Sequence, residues 1–564
     1  MLSTALVVTT FAQSPAPMDR AAVLLRNGHV FTPSGWSTSV AYRDGKIIAV
    51  GSDAYVRSRV GAGTREVDLA GHTVFPGLHD MHVHPLSAGS LMVQCTFKQG
   101  ATPEQILAKV AECARTRKPG EWVEGGSWQA ISFGDHQPTR QMLDSVSPDN
   151  PVILRDIAGH SVWLNSLALK KAGINRDTPV PAGGIIERDA AGEPTGILRE
   201  AAQSLGRSAV PARSLEDTAA AIERALAVLV SYGITTATDA GFGQDSADAY
   251  KLLSDQNRLL PRVRGCILYK KVAGNTKAFD TLLDHRENYR LPHFTPDCVK
   301  FMVDGVPTES HTAAMLEPYQ NASSAKGSTK DDRGSLQIAP PELNAMALKI
   351  DKLGLIGKFH AVGDAASDAV LNAIALARAQ DGPNGPRHDI AHTTFITQAN
   401  IARAKTLKVT LEFSPYLWFP AVINDDIIKA VGEPRIDRAW PIRDAVRSGV
   451  RIDVGSDWPA GTPTASPWFA MEALVTRRTP DGSRGSQTFA PGQAIDLARA
   501  VHLFTVDGAQ QMGNLDTSGT IEVGKDADLI VLDRNPFKIP ITDVHNVIVE
   551  QTIVGGVTVY THTK

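Results

Sequence analysis

Beyond its first dozen residues the sequence has no run approaching the roughly 18 uncharged apolar residues needed to cross a bilayer, so it offers no membrane-inserted segment. Cysteine is scarce. The four, Cys95, Cys113, Cys266 and Cys298, include no C-x-x-C pair, which excludes a zinc ribbon and a thioredoxin-like redox motif and leaves them to be read as core residues. An excess of positive charge is also missing: 57 Lys and Arg stand against 60 Asp and Glu, a net charge of -3, so no field exists to hold nucleic acid by counterion release. The biases of disordered or collagenous chains are absent too. What is present is 43% hydrophobic and 21% charged residues over 564 positions, enough to bury a large core as a soluble globular protein.

Residues 2–12, LSTALVVTTFA, form a short apolar run followed by Gln13, Ser14 and Pro15. Its length and its Thr10-Phe11-Ala12 end match the apolar part of a signal peptide, although the basic segment that should precede it is missing. Two destinations therefore stay open for the sequence reading. The protein is periplasmic or secreted if residues 1–12 are a signal peptide, and cytoplasmic if residues 1–20 are a disordered tail.

From Val23 onward, short β-rich runs are separated by Asn27-Gly28, Asp44-Gly45 and Ala70-Gly71 turn signals, and the C-terminus repeats the texture around Gly555-Gly556. Neither end can close a core alone, so 21–74 and 515–564 are expected to form one composite β-sandwich. Between them lie eight candidate buried strands ending at His82-Val83-His84, Ile234 to Asp239, Val263 to Leu268, Val299 to Asp304, Lys358 to Gly363, Asp389 to Thr393, Val409 to Ser414, and Ile452 to Asp457. Eight such units predict an α/β fold of the TIM type, a (β/α)8 barrel over 75–94 and 211–514. The long gap after the first strand is too large for a structureless loop and predicts an inserted cap subdomain over 95–210.

An H-x-H pair alone says little, because 16 histidines give about half an occurrence by chance. Its position says more. On a strand, residues i and i+2 point the same way, so His82 and His84 can present two imidazoles to one ion; the alternative is two surface histidines on an edge strand. The other strand ends bring Lys300, Asp304, His360, His392 and Asp457, and the carboxyl ends of barrel strands converge on one mouth. Together His82, His84, Lys300, His360, His392 and Asp457 suit a binuclear metal centre, and Asp304 is a candidate to bind the substrate. Lys300 cannot ligate as an ammonium, but a buried lysine of depressed pKa can react with carbon dioxide to give a carbamate that bridges two ions; its alternative is an ion pair with a nearby carboxylate.

The runs VFPGLHDMHVH, HSVWLNSLAL, KFMVDGV, FHAVGD and GSDWPA and the tail GTIEVGKDADLIVLD resemble the amidohydrolase superfamily, and within it the YtcJ-like, amidohydrolase-3 branch. The resemblance covers the chain from about Val23 to Val559. It implies a metal-dependent hydrolase on a (β/α)8 barrel, with the composite β-sandwich and the cap. It also implies His82, His84, His360 and His392 as metal ligands, Lys300 as bridging lysine and Asp457 as catalytic acid and base. One position departs from the pattern: the sixth strand reads RHDIAHT, with Ala391 where a glutamate is usual, so a relative's specificity cannot simply be carried over.

The reaction that these groups imply is cleavage of a non-peptide C–N bond in an amide, N-acyl or N-formyl compound, with one or two divalent ions, zinc by preference for so imidazole-rich a set. An esterase, a lactonase or a heterocycle deaminase would use the same site. A catalytically inactive ligand-binding barrel is the reading of another class, and retention of every chemical group argues against it. Trp128, Phe133, His160 and Trp163 from the insertion and Trp418 and Trp458 from barrel loops are candidates to bind a small-molecule substrate, with core packing as their alternative. His160 is also a candidate catalytic residue, able to hydrogen-bond a carbonyl oxygen. Neither nucleic acid nor a membrane is expected as a partner, and homo-oligomerisation is left open.

Overall fold

The computed structural model describes residues 22–563 except 62, 98–100, 134–136, 157–160, 182–183, 201, 272–273, 309–310, 321–330, 416–417 and 461–463. Its centre is an eight-stranded parallel sheet whose strands pair in chain order: β1 (Leu78–Val83), β2 (Ile234–Phe242), β3 (Arg262–Leu268), β4 (Phe294–Met302), β5 (Ile356–His360), β6 (Asp389–Ala391), β7 (Thr410–Phe413) and β8 (Arg451–Val454). Helices such as Gln244–Asp255, Asp364–Asp381 and Gln398–Leu407 follow strands, the last capped by the Thr397 hydroxyl, which accepts from the Asn400 amide. This is the predicted α/β barrel. Three hydrogen bonds tie the exit of β8 back to β1. Ser456 N–H donates to Asp80 Oδ1 at 2.9 Å, Asp457 N–H to the His82 carbonyl at 2.7 Å, and His84 N–H to the Trp458 carbonyl at 2.9 Å. A side chain at Gly455 would put its Cβ 2.3 Å from that of His82, so glycine is what lets the two strand ends meet.

The lower barrel interior is charged. Lys358, Asp389, Glu412 and Asp453 are each at most 1% exposed. The Lys358 ammonium lies 3.0 Å from Asp389 Oδ2 and also bonds Glu412 Oε2. Burial works against that ammonium, yet the charges of Asp389 and Glu412 hold its pKa above the usual lysine range. Asp453 is shifted the other way chemically: burial pushes its carboxyl well above the ordinary carboxylate range, so it tends to keep its proton.

The two ends of the chain share one sheet, in which Leu529–Leu532 runs antiparallel beside both Thr73–Pro76 and Val549–Val554. A second, four-stranded sheet contains Val23–Arg26, Ser39–Arg43, Lys46–Gly51 and Arg65–Asp68. Leu25, Val40, Val74, Leu529 and Ile553 pack in one core between them, which is how two strand-rich ends become one β module.

The chain divides into two compact units, one containing the residues up to His84 with Leu226–Lys564 and the other Pro85–Ala225. The second unit starts before and ends after the 95–210 insertion read from the sequence, because it includes the helix Pro85–Leu91 and part of Leu215–Ser231. It has its own six-stranded mixed sheet and its own apolar core.

All four cysteines are paired, in disulfides Cys95–Cys113 and Cys266–Cys298. Spacing could not reveal the second, which joins β3 to β4 because Cys266 and Cys298 fall opposite each other in the strand register.

Candidate active site

Strand alternation sends His82 and His84 to one point at the mouth of the barrel, with ring centroids 5.3 Å apart. His82 is wholly buried, whereas the His84 side chain keeps 29% exposure. Lys300, from β4, places Nζ 2.9 Å from His82 Nε2. No carboxylate among the described residues forms an ion pair with that lysine. The His392 ring stands 4.6 Å from both the His82 and His360 rings. Asp457 completes the group: its Oδ1 is 3.2 Å from His84 Nε2 and 3.4 Å from His82 Nε2, and its Oδ2 is 3.8 Å from His392 Nδ1. The six residues expected to hold or bridge metal are thus gathered in one place from five strands or strand ends.

Two of them sit on left-handed backbone, His392 at φ 73° and Asp457 at φ 57°. Non-glycine residues adopt this conformation infrequently, and besides turns and helix ends it is found at functional positions. The Asp457 conformation is secured by its amide bond to the His82 carbonyl, and the Thr394 hydroxyl donates to the His392 carbonyl at 3.1 Å.

The electrostatics keep three of the imidazoles, those of His82, His360 and His392, neutral. Burial, and then the nearby Lys300, holds His82 well below its ordinary pKa and brings His360 down to about 4. His392 is lowered by burial and then by its histidine neighbours. Burial also brings Lys300 down to about 8. Neutral imidazoles beside a carboxylate suit a divalent ion, because each ring then has a lone pair to give. The spacing also fits: two ligands of one tetrahedral ion, each about 2.1 Å from it, stand about 3.4 Å apart. The separations of Asp457 Oδ1 from the two Nε2 atoms match that edge.

Asp304, expected at the substrate, accepts three backbone N–H bonds, from Val362, Gly363 and Ala314, at 2.9 to 3.0 Å. Its carboxyl thereby ties the loop after β5 to that after β4, and its Oδ1 lies 3.8 Å from His360 Nε2. Burial pushes its pKa up to about 7 against those three bonds. Trp418 is fully buried with the Arg477 guanidinium 4.8 Å from its ring centroid, and Trp458 contributes its carbonyl to His84. In the second unit Trp128, Phe133 and Trp163 pack edge to face in the core, their ring centroids 5.5 to 6.2 Å apart, and both indoles donate to backbone carbonyls. His160 lies outside the described residues.

Two carboxylates beside the site escaped sequence reasoning. Asp80 accepts the amides of both His82 and Ser456, and its alternation with His82 and His84 in D-x-H-x-H was an available signal. Glu412 meets His82 Nδ1 at 2.8 and 2.9 Å, and its signal was a lone charge within the apolar strand TLEF.

A sequence model of the amidohydrolase family matches residues 65–560. A Bacillus subtilis chain that carries the name amidohydrolase YtcJ is 29% identical over 94% of this chain and 98% of its own length. The N-substituted formamide deformylase of Arthrobacter pascens is 28% identical over 93% of this chain and 95% of its own. Among solved structures, a metal-dependent hydrolase from Pyrococcus furiosus superposes with a TM-score of 0.73 at 25% identity, covering 92% of this chain and all of that one.

Proposed function

Because the chain belongs to the amidohydrolase family and is a metal-dependent hydrolase, we propose that it cleaves the C–N bond of a linear amide, N-acyl or N-formyl compound, with Asp457 moving the proton. The observation that carries this reading is the position of Asp457, one carboxylate within 3.4 Å of the His82 and His84 imidazoles and turned toward that of His392. His82, His84, His360 and His392 would hold the metal, zinc in this proposal, with Asp457 as a further ligand and Lys300, as a carbamate, supplying additional ligand oxygens. When bound, such an ion acidifies a water and polarises a carbonyl oxygen.

Asp457 accepts the proton of the attacking water and delivers it to the leaving nitrogen, so one group serves as base and then as acid. Its two oxygens suit both roles, since Oδ1 faces the His82 and His84 pair while Oδ2 is directed to His392. The deformylase likeness favours N-formyl substrates within the proposed class. A panel of N-formyl, N-acyl and ester compounds tests the reading through release of amine or alcohol. Amine release is expected, and turnover of esters alone would refute it.

Lys300 gives this proposal its pH dependence. Carbon dioxide adds only to the neutral amine, which loses a proton as the N–C bond of the carbamate forms. With the pKa brought down to about 8 by burial, the reactive fraction at pH 7 is about a tenth, against about four ten-thousandths for an ordinary lysine. At fixed dissolved carbon dioxide, metal-stripped protein should therefore regain activity faster as pH rises from 7 toward 8.5. The Lys300→Met variant should show no such dependence. Equal recovery in carbon-dioxide-free buffer would remove the carbamate from the account.

We also propose that the protein works in an oxidising compartment, since structural disulfides persist there and are rare in a reducing cytosol. The support is the pairing of all four cysteines, together with the apolar run at residues 2–12. Protein unfolded straight from its native source should titrate no free thiol, and four after reduction; four without reductant would contradict the proposal.

A further inference from the structure

Among the described residues, Glu412 is the one carboxylate that hydrogen-bonds the ring of a candidate ligand and that the proposed chemistry leaves unused. We propose that it is a positioning residue: its carboxylate accepts the His82 Nδ1–H and so fixes the ring with Nε2 presented to the metal. The inference rests on the reading of His82 as a ligand. Both Glu412 oxygens lie within 2.9 Å of Nδ1, and the opposite nitrogen, Nε2, faces Lys300 Nζ at 2.9 Å and Asp457 Oδ1 at 3.4 Å. The two ring nitrogens thus have different neighbours. An ionised carboxylate has no proton to give, so the tautomer that satisfies it is the one protonated on Nδ1, and that tautomer leaves the Nε2 lone pair free.

Glu412 is itself held. It is wholly buried on β7, and its Oε2 bonds the Lys358 ammonium, which Asp389 secures from β6 at 3.0 Å. A chain of contacts therefore runs Asp389, Lys358, Glu412, His82. Ala391 belongs to this picture. The register pairs Asp389 with Thr410 and Ile390 with Leu411, which puts Ala391 beside Glu412 on the adjoining strand. A methyl group at 391 adds no second carboxylate there to compete for His82 or Lys358. Partners of this kind raise the basicity of a ligating imidazole, and their loss weakens metal binding about ten- to a hundredfold.

The test compares zinc affinity, by competition with a chromophoric chelator, and melting temperature for the full-length protein, Glu412→Gln, the triple variant Lys358→Met with Asp389→Asn and Glu412→Gln, and His82→Ala. Glu412→Gln should bind zinc about ten- to a hundredfold more weakly. The triple variant, which leaves neither the Lys358 ammonium nor the Asp389 carboxylate buried without its partner, should keep thermal stability without recovering affinity. Parent-like affinity in Glu412→Gln would overturn the proposal, as would affinity that returns together with stability, because Glu412 would then be only a counterion of Lys358. Parent-like affinity in His82→Ala would instead locate the failure in the assignment of His82 as a ligand.

Discussion

Asp457→Asn is expected to leave the fold unchanged and, with the site kept loaded at saturating zinc, to lower kcat by about two to four orders of magnitude. The substitution keeps shape and removes basicity: an amide cannot accept the proton of the attacking water or return one to the leaving nitrogen. The backbone should tolerate it, because asparagine is among the residues that adopt the left-handed conformation found at this position. The amide bond to the His82 carbonyl depends on no side chain and should persist. Measuring kcat at saturating zinc separates lost proton transfer from weakened ligation. An unchanged kcat would remove Asp457 from the mechanism.

Removal of the metal should have the second large effect. Prolonged chelation is expected to abolish hydrolysis and to lower the melting transition, because an ion that binds only the folded state stabilises it by about 4 kcal/mol when present at about a thousand times its Kd. Added zinc should restore both properties in the parent. His82→Ala should regain neither, since it loses the ring that touches Lys300, Asp457 and Glu412 at once. Activity that survives exhaustive chelation with no metal detected would contradict the account.

Much of this site was legible because barrel strands turn a linear pattern into convergence. His82 and His84 are recognisable by their spacing, and Lys300, His360, His392 and Asp457 by their places at the ends of apolar runs. The expected strands nevertheless overran the real ones: β6 stops at Ala391 and β8 at Val454, not at Thr393 and Asp457. At β6 the cause is the left-handed backbone at His392, which ends the ladder where the chemistry begins. Asp304 was legible as a polar strand end. That it would be occupied by three backbone amides was not, because its partners come from loops distant in sequence. Glu412 and Lys358 were hidden for a similar reason. Each is one charge in a short strand, and only the strand register sets them beside one another and beneath His82.

The most direct measurement is a crystallographic anomalous difference map collected at the zinc absorption edge from active protein. The account predicts a peak bounded by His82 Nε2, His84 Nε2 and Asp457, about 2.0 to 2.2 Å from each ligand atom. A map from equally active crystals with no peak there, or with its only peak elsewhere, would contradict it.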